Sequence, residues 1–203
     1  MSKNKSPAII LASGSSARNN MLQNVGLEFT SITADIDEQK ITNHLVSENR
    51  DIPLITEQLA QAKARAVSAL NPTALVIGSD QTLEFNGHIL SKAKTAQEGK
   101  EKLKSLRGKS HRLYSSVCVV YNGNTEFFHT DSARLTMHNF NEEYLDAYIK
   151  KDPDALTSCV GGYKIEGVGA WLFDTVNGDH YTIMGMPLLP LLAFLRKTYK
   201  FLP

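Results

Sequence analysis

The sequence predicts a mixed-sheet α/β fold. Apolar strand-like runs alternate with amphipathic helices in the first part of the chain, which is typical of βα units. Further along, the turn residues Asn86-Gly87 and Asn122-Gly123 join strands into hairpins, which is typical of antiparallel pairing. We therefore expect a single domain over residues 1–203, with residues 1–7 flexible.

The first half of the chain is predicted to contain three strands and two helices. The strands cover residues 8–12, 27–33 and 75–78. The first helix stops at Gly26, and its expected buried residues are Ala17, Met21, Leu22 and Val25. The second begins near Thr56 and ends at Asn71-Pro72, and its expected buried residues are Leu59, Ala62, Ala66, Val67 and Leu70.

The second half continues with hairpins and capped helices. A capping box at Thr95-Ala96-Gln97-Glu98 starts a helix that closes near Gly108, and strands follow at residues 113–121 and 126–137. Asn141 caps a helix that Asp152-Pro153 breaks. The remaining predictions are a glycine-rich segment at 160–169, a hairpin around Asn177-Gly178 and a last helix entered at Pro187.

Composition excludes several classes of function. The chain has 22 basic and 21 acidic residues, so its overall charge does not favour binding to nucleic acid or to an anionic membrane. Cys118 and Cys159 are too few for a disulfide framework and are expected to be reduced thiols. The N-terminus lacks the apolar core of a signal peptide, and residues 188–195 are too short to span a bilayer, so we expect a cytoplasmic protein.

A small-residue loop after the first strand is a candidate phosphate site. A helix start leaves backbone N–H groups unpaired, Gly14 permits close approach, and Ser13, Ser15 and Arg18 offer hydroxyl and guanidinium donors. The loop lacks the Gly-Lys-Ser/Thr ending of a Walker A motif. The structural alternative is that Ser15 or Ser16 only caps the helix.

Acidic and basic side chains suggest hydrolytic chemistry. Asp80 follows a buried strand, where a carboxylate could hold a divalent metal or accept a proton from water; its alternative is an Asx turn. Glu38 ends the acidic segment Asp35-Ile36-Asp37-Glu38, whose alternative is a solvated loop. Lys63 flanks an apolar helix stripe and either reaches inward or snorkels outward, while Lys92 could neutralise phosphate.

Taken in order, several motifs closely resemble those of the Maf family of nucleoside triphosphate pyrophosphatases, from Ile9 to about Leu195. They are Leu11-Ala12-Ser13-x-Ser15-x-x-Arg18, Asp37-Glu38, Leu59-Ala60-x-x-Lys63-Ala64, Gly78-Ser79-Asp80-Gln81, Lys92, Gly108-x-x-His111, Gly161-Gly162-Tyr163-Lys164-Ile165-Glu166-Gly167 and Gly185-Met186-Pro187-Leu188. The resemblance implies an elongated mixed sheet with flanking helices, similar to inosine triphosphatases, and two lobes around a central cleft.

The resemblance also implies an activity: hydrolysis between the α and β phosphates of a nucleotide, with Mg²⁺ or Mn²⁺ as cofactor. By resemblance, Asp80 is the proton acceptor, Glu38 and Asp80 are the metal ligands, and Lys63 and Lys92 are basic catalytic residues. The substrate-binding residues implied in the same way are Ser13, Ser15, Arg18, Gln81 and Glu166.

Gln81 and Glu166 are similar to the branch of the family that acts on 7-methyl-GTP, although Ala17 stands where that branch has tryptophan. The family also suggests a different class of function, a non-catalytic nucleotide sensor or an interaction protein that inhibits septum formation. An exposed strand could support a homodimer.

Overall fold

The computed structural model describes residues 7–199 and shows a mixed α/β fold, as predicted. Its sheet contains these strands: β1 (Ile9–Leu11), β2 (Thr30–Ser31), β3 (Leu75–Phe85), β4 (His88–Leu90), β5 (Ser110–Tyr121), β6 (Asn124–Met137) and β7 (Phe173–Asn177). Across the described residues the strand order is β2-β1-β3-β5-β6-β7, and β4 pairs with β3. The strand pairs β1–β2 and β1–β3 are parallel, whereas β3–β4 and β6–β7 are antiparallel.

The helices account for most of the remaining chain. They are α1 (Ser16–Asn24), α2 (Glu38–Ser47), α3 (Ile52–Leu70), α4 (Ala96–Leu106), α5 (Glu142–Lys151), α6 (Ala155–Ser158), α7 (His180–Met184) and α8 (Leu188–Tyr199), with a 3₁₀ helix at Val168–Leu172. Within residues 7–199, none of these helices has the length and apolar character needed to cross a membrane.

The chain divides into two compact units. The first consists of the described residues of Met1–Asp80, Ser115–Asp131 and Gly185–Pro203, and the second of Gln81–Tyr114 and Ser132–Met184. One hydrophobic cluster of the first unit consists of small and β-branched residues, which include Ile10, Ala60, Ala64, Val76 and Val120. The second unit has a core rich in leucine and aromatic side chains, which includes Leu83, Leu103, Leu135, Phe140 and Tyr163.

Local turn and capping signals behave as predicted. Asn86 and Gly87 have φ values of 53° and 80°, the left-handed conformations that a two-residue hairpin between β3 and β4 requires. Thr95 and Asn141 cap α4 and α5 by accepting hydrogen bonds from the backbone N–H groups of Glu98 and Tyr144. Both cysteines are free, as expected.

Several element predictions are wrong. The second strand is two residues long, and α2 occupies a segment for which no helix was predicted. Helix α3 starts at Ile52, because Asp51 caps it, and it leaves Leu70 84% exposed and Ala62 and Ala66 only partly buried. Asn177-Gly178 joins β7 to α7 and forms no hairpin, because β7 pairs with β6 instead. Residues 1–7 are expected to be flexible, and residues 1–6 of this segment lie outside the described residues.

Candidate functional site

Four charged side chains meet in the first unit. The ammonium nitrogen of Lys63 lies 2.5 Å from Asp80 Oδ1 and 3.0 Å from Glu38 Oε2. Arg18 interacts electrostatically with both carboxylates. Arg18, Lys63 and Asp80 are 9%, 8% and 6% exposed, whereas the Glu38 side chain is about half exposed. Two cations therefore balance two carboxylates at a largely buried site, the pairing that buried charges require.

The Lys63–Asp80 ion pair depends on a close approach of α3 to β3. A Cβ added to Gly78 would lie 2.6 Å from the backbone nitrogen of Ala64, and nearer still to the carbonyl oxygen of Ala60. These small residues flank Lys63 in α3, so its side chain emerges where the helix touches the strand. The snorkelling interpretation of Lys63 is wrong, because the helix face that it shares is the buried one.

Asp80 lies inside β3 and does not follow its end, so this part of the prediction is wrong, as is the Asx-turn alternative. The strand is longer than expected because it continues from Gly78 through a polar stretch to the Asn86-Gly87 turn. β1, however, pairs only with residues 75–77, so Asp80 lies beyond the end of β1. Burial raises the pKa of Asp80, while Lys63 and Arg18 oppose this shift. A raised pKa makes the carboxylate a stronger base.

The loop between β1 and α1 combines the capping and guanidinium interactions. Ser15 caps α1 by accepting from the Arg18 backbone N–H at 3.5 Å, and its role in phosphate binding stays a prediction. Ser13 Oγ accepts from the Ser15 backbone N–H at 3.2 Å and from Arg18 Nη1 at 3.3 Å. Arg18 Nε donates to the Gly185 carbonyl at 2.9 Å, and burial lowers the pKa of Arg18. The guanidinium is thus held from two sides next to a helix N-terminus.

Glu38 reaches Lys63 from the first turn of α2. Asp37 caps this helix by accepting from the Lys40 backbone N–H at 2.9 Å. The acidic segment is therefore a helix start, where carboxylates are favoured by the helix dipole, and the solvated-loop interpretation is wrong for Glu38.

The other three predicted site residues belong to the second unit. Gln81 donates from Nε2 to the carbonyls of Thr182 and Ile183, at 3.1 and 2.9 Å, so its amide holds α7. Lys92 and Glu166 are exposed, in the loop after β4 and in the glycine-rich segment. Burial raises the pKa of Cys159, and the charges of Glu166 and Lys92 also act on this thiol, which places both residues in its neighbourhood.

Two residues of the site have no role in the sequence-based prediction. Ser79 is fully buried, and its hydroxyl lies 3.0 Å from the carbonyl of Gly185, the same oxygen that accepts from Arg18. Both residues stand in the motifs Gly78-Ser79-Asp80-Gln81 and Gly185-Met186-Pro187-Leu188, and that position in a motif is the only sequence signal for them.

The carboxylates of Glu38 and Asp80 fit a metal ion that binds together with a substrate. Among residues 7–199 no group of three or more His, Cys, Asp or Glu side chains is placed to hold a metal ion. Glu38 and Asp80 supply two carboxylates on either side of Lys63. Mg²⁺ is commonly held by one or two carboxylates together with substrate phosphates, so these two residues suit that arrangement and not an all-protein cage.

Comparison with known proteins identifies relatives along nearly the whole chain. A nucleoside triphosphate pyrophosphatase of Bradyrhizobium diazoefficiens is 47% identical over 96% of this chain and 95% of its own. Another from Paramagnetospirillum magneticum is 42% identical over 96% of this chain and its full length. The 7-methyl-GTP pyrophosphatase of Brucella abortus is 39% identical over 93% and 95% of the two chains.

Among solved structures, the Staphylococcus aureus Ham1 protein is 16% identical with a TM-score of 0.37, covering 64% of this chain and 71% of its own, a partial overlap that does not bear on the site. The Maf-like protein family matches residues 8–198, which include all nine predicted site residues. This chain belongs to the Maf family.

Proposed function

We propose that this enzyme is a nucleoside triphosphate pyrophosphatase that releases a nucleoside monophosphate and pyrophosphate. The observation that carries the proposal is the buried cluster of Arg18, Lys63 and Asp80 beside Glu38, in a chain whose full-length relatives are named for this activity. Phosphoryl transfer needs neutralised charge and an oriented water more than covalent machinery, and the cluster offers both cations and a base.

In the proposed reaction, Asp80 accepts a proton from the attacking water. The water oxygen forms a bond to the α-phosphorus. The bond from the α-phosphorus to the oxygen that bridges to the β phosphate breaks, and pyrophosphate leaves with the bonding electrons. Lys63 contacts the carboxylates of Asp80 and Glu38, so it holds the base in place and keeps it ionised. Arg18, Ser13 and the N-terminus of α1 bind phosphate oxygens, and Lys92 contributes a further cation.

We also propose that Mg²⁺ or Mn²⁺ assists, held by Glu38 and Asp80 together with substrate phosphates. A divalent ion in this place supplies Lewis-acid stabilisation of charge on the phosphates. The support for it is the pair of carboxylates at the cluster, which are hard oxygen ligands of the kind that these ions prefer.

The proposed base preference is for a modified purine such as that of 7-methyl-GTP. Glu166 is exposed, and its carboxylate is suited to accept hydrogen bonds from a guanine edge and to favour a cationic ring. The Brucella abortus relative named for that substrate supports the proposal. Gln81 supports it less, since its amide nitrogen already donates to Thr182 and Ile183.

The test is a substrate panel with a matched pair of variants. Purified protein with Mg²⁺ is given 7-methyl-GTP, GTP, UTP and dTTP, and monophosphate and pyrophosphate are measured. We expect hydrolysis with preference for 7-methyl-GTP, and a loss of about 10²- to 10⁴-fold in kcat for Asp80→Asn. Asp174→Asn, which changes an exposed aspartate in β7, is expected to keep wild-type activity.

Each result of this panel has a clear meaning. Preferential cleavage of UTP or dTTP over 7-methyl-GTP would support the proposed reaction and overturn the proposed base preference. Unchanged turnover by Asp80→Asn would overturn its assignment as the base. The alternative of a non-catalytic sensor or septum inhibitor is not favoured by relatives that are named for catalysis, and it would require that no nucleotide is cleaved.

A further inference from the structure

We infer that Ser79 is a positioning residue for Arg18, acting through the carbonyl oxygen of Gly185. The inference rests on the proposed function, because it assigns a purpose to the orientation of a phosphate-binding guanidinium. All three residues belong to the first unit, and Ser79 directly precedes Asp80 in β3.

The guanidinium of Arg18 is fixed by two hydrogen bonds. Nε donates to the Gly185 carbonyl at 2.9 Å and Nη1 donates to Ser13 Oγ at 3.3 Å. A guanidinium has five N–H donors in a planar fork, so these two contacts fix its plane and leave three donors for a ligand. Bidentate binding of a phosphate requires that this plane is held at a defined angle.

The Gly185 carbonyl accepts from a second donor as well. Ser79 Oγ lies 3.0 Å from that oxygen and 2.8 Å from the carbonyl of Ser116 in β5, so one hydroxyl proton is shared between two acceptors. Ser79 is fully buried, so bulk solvent does not reach its hydroxyl. The hydroxyl therefore links the Gly185 peptide to the strand that carries Asp80.

Gly185 has the backbone conformation that this arrangement needs. Its φ is 112°, which L side chains rarely adopt, whereas a Cβ there would meet Arg18 only at an ordinary contact distance of 3.5 Å. The constraint on Gly185 is thus its backbone conformation and not lack of space. The peptide is turned so that its carbonyl faces both donors.

One consequence is that the same strand, β3, positions both Asp80 and Arg18. Asp80 and Ser79 are neighbours in β3, so the strand that positions the proton acceptor also orients the phosphate-binding group. Loss of the Ser79 hydroxyl is expected to release the Gly185 carbonyl and to weaken phosphate binding, while Asp80 keeps its contact with Lys63.

The test is a double-mutant cycle on Ser79→Ala and Arg18→Ala, read out by the affinity for magnesium pyrophosphate in titration calorimetry. Ser79→Ala alone is expected to weaken binding by about 2- to 12-fold, the range for one lost hydrogen bond. In the Arg18→Ala background the same change is expected to have no further effect, since coupled residues are not additive. Ser116→Ala, which removes a hydroxyl bonded to Thr130, serves as the control and is expected to bind as wild type.

The outcomes separate this inference from the proposed function. Additive losses in the cycle, or a loss in Ser116→Ala equal to that in Ser79→Ala, would overturn the inference and indicate a general structural role. A wild-type chain that binds pyrophosphate but cleaves no nucleotide would overturn the proposed function, while the cycle would still decide the role of Ser79. A wild-type chain that cleaves nucleotides but does not bind pyrophosphate would overturn the inference alone, because Ser79 would then support no pyrophosphate-binding group.

Discussion

Lys63 contacts two carboxylates of different exposure, and this difference separates their roles. Asp80 is buried and its pKa is raised by burial, so it suits proton transfer. Glu38 is half exposed at a helix start, which suits the metal-binding role proposed for it. The lysine between them offsets the repulsion by which the Glu38 charge raises the pKa of Asp80.

The pH profile of the enzyme should report the environment of Asp80. Its carboxylate must be ionised to accept a proton, so activity is lost as pH falls through its pKa. Because burial raises that pKa, we expect the acidic limb of kcat/KM above the ordinary aspartate value of 3.8. Lys63 lowers the pKa of Asp80, so Lys63→Met should move the limb to higher pH and reduce kcat/KM by about 10- to 100-fold.

Steady-state kinetics between pH 4 and 9 would check this shift. Lys104→Met is the matched control, because Lys104 belongs to the second unit and pairs there with Glu101 and Glu142. An acidic limb that stays in place in Lys63→Met would contradict the proposed coupling.

At the scale of elements, the contact of α3 with β3 at Gly78 decides where Lys63 lies. Ala60 and Ala64 face this glycine, so strand and helix backbones touch directly. The polar residues that follow Gly78 then reach the helix without an intervening layer of large side chains.

Gly78→Ala is expected to push α3 from β3. The new Cβ would lie 2.6 Å from Ala64 N, so backbone must move, and overpacking of this kind costs about 1–3 kcal/mol of unfolding free energy. The Lys63–Asp80 pair should lengthen and kcat/KM should fall. Urea unfolding and kinetics would measure both effects.

Gly167→Ala is the control for that stability measurement. A Cβ at Gly167 would meet its nearest neighbour, the Lys164 carbonyl oxygen, only at 3.8 Å, so its unfolding free energy should match wild type. Equal losses in both variants would show that the effect is a general one of glycine replacement.

At the scale of the whole molecule, His111 links global stability to pH. It is buried in the second unit, its Nε2 lies 2.6 Å from the Tyr163 hydroxyl, and burial lowers its pKa to about 4. Between pH 6.5 and 4 the unfolded chain therefore binds a proton that the folded chain does not, so stability falls as pH falls. His111 alone should cost about 2 kcal/mol between pH 7.5 and 5.

Urea unfolding at those two pH values would test this contribution. His111→Gln should lose most of the His111 part of the pH dependence, whereas His180→Gln, at an exposed position, should retain the wild-type difference. An unchanged pH dependence in His111→Gln would show that other groups cause it.

At the scale of the whole molecule, the homodimer stays a prediction. In the described chain β7 pairs with β6 only from Arg134 onward. The earlier part of β6 carries Phe128, which is 54% exposed. We expect that part of β6 to be an edge with which a second copy of the chain could pair.

The sequence by itself determined the mixed α/β class, the turns at Asn86-Gly87 and Asn122-Gly123, and the caps at Thr95 and Asn141, because these depend on local backbone preferences. It also indicated six residues that the first unit brings together: Ser13, Ser15, Arg18, Glu38, Lys63 and Asp80.

Only the tertiary structure decided that Lys63 lies inward and that Asp80 lies within a strand. The reason is that α3 approaches β3 at Gly78, a contact between residues distant in sequence that no local period encodes. The contact between Ser79 and Gly185 could not be predicted for the same reason, because this hydrogen bond joins residues that are 106 positions apart in the sequence.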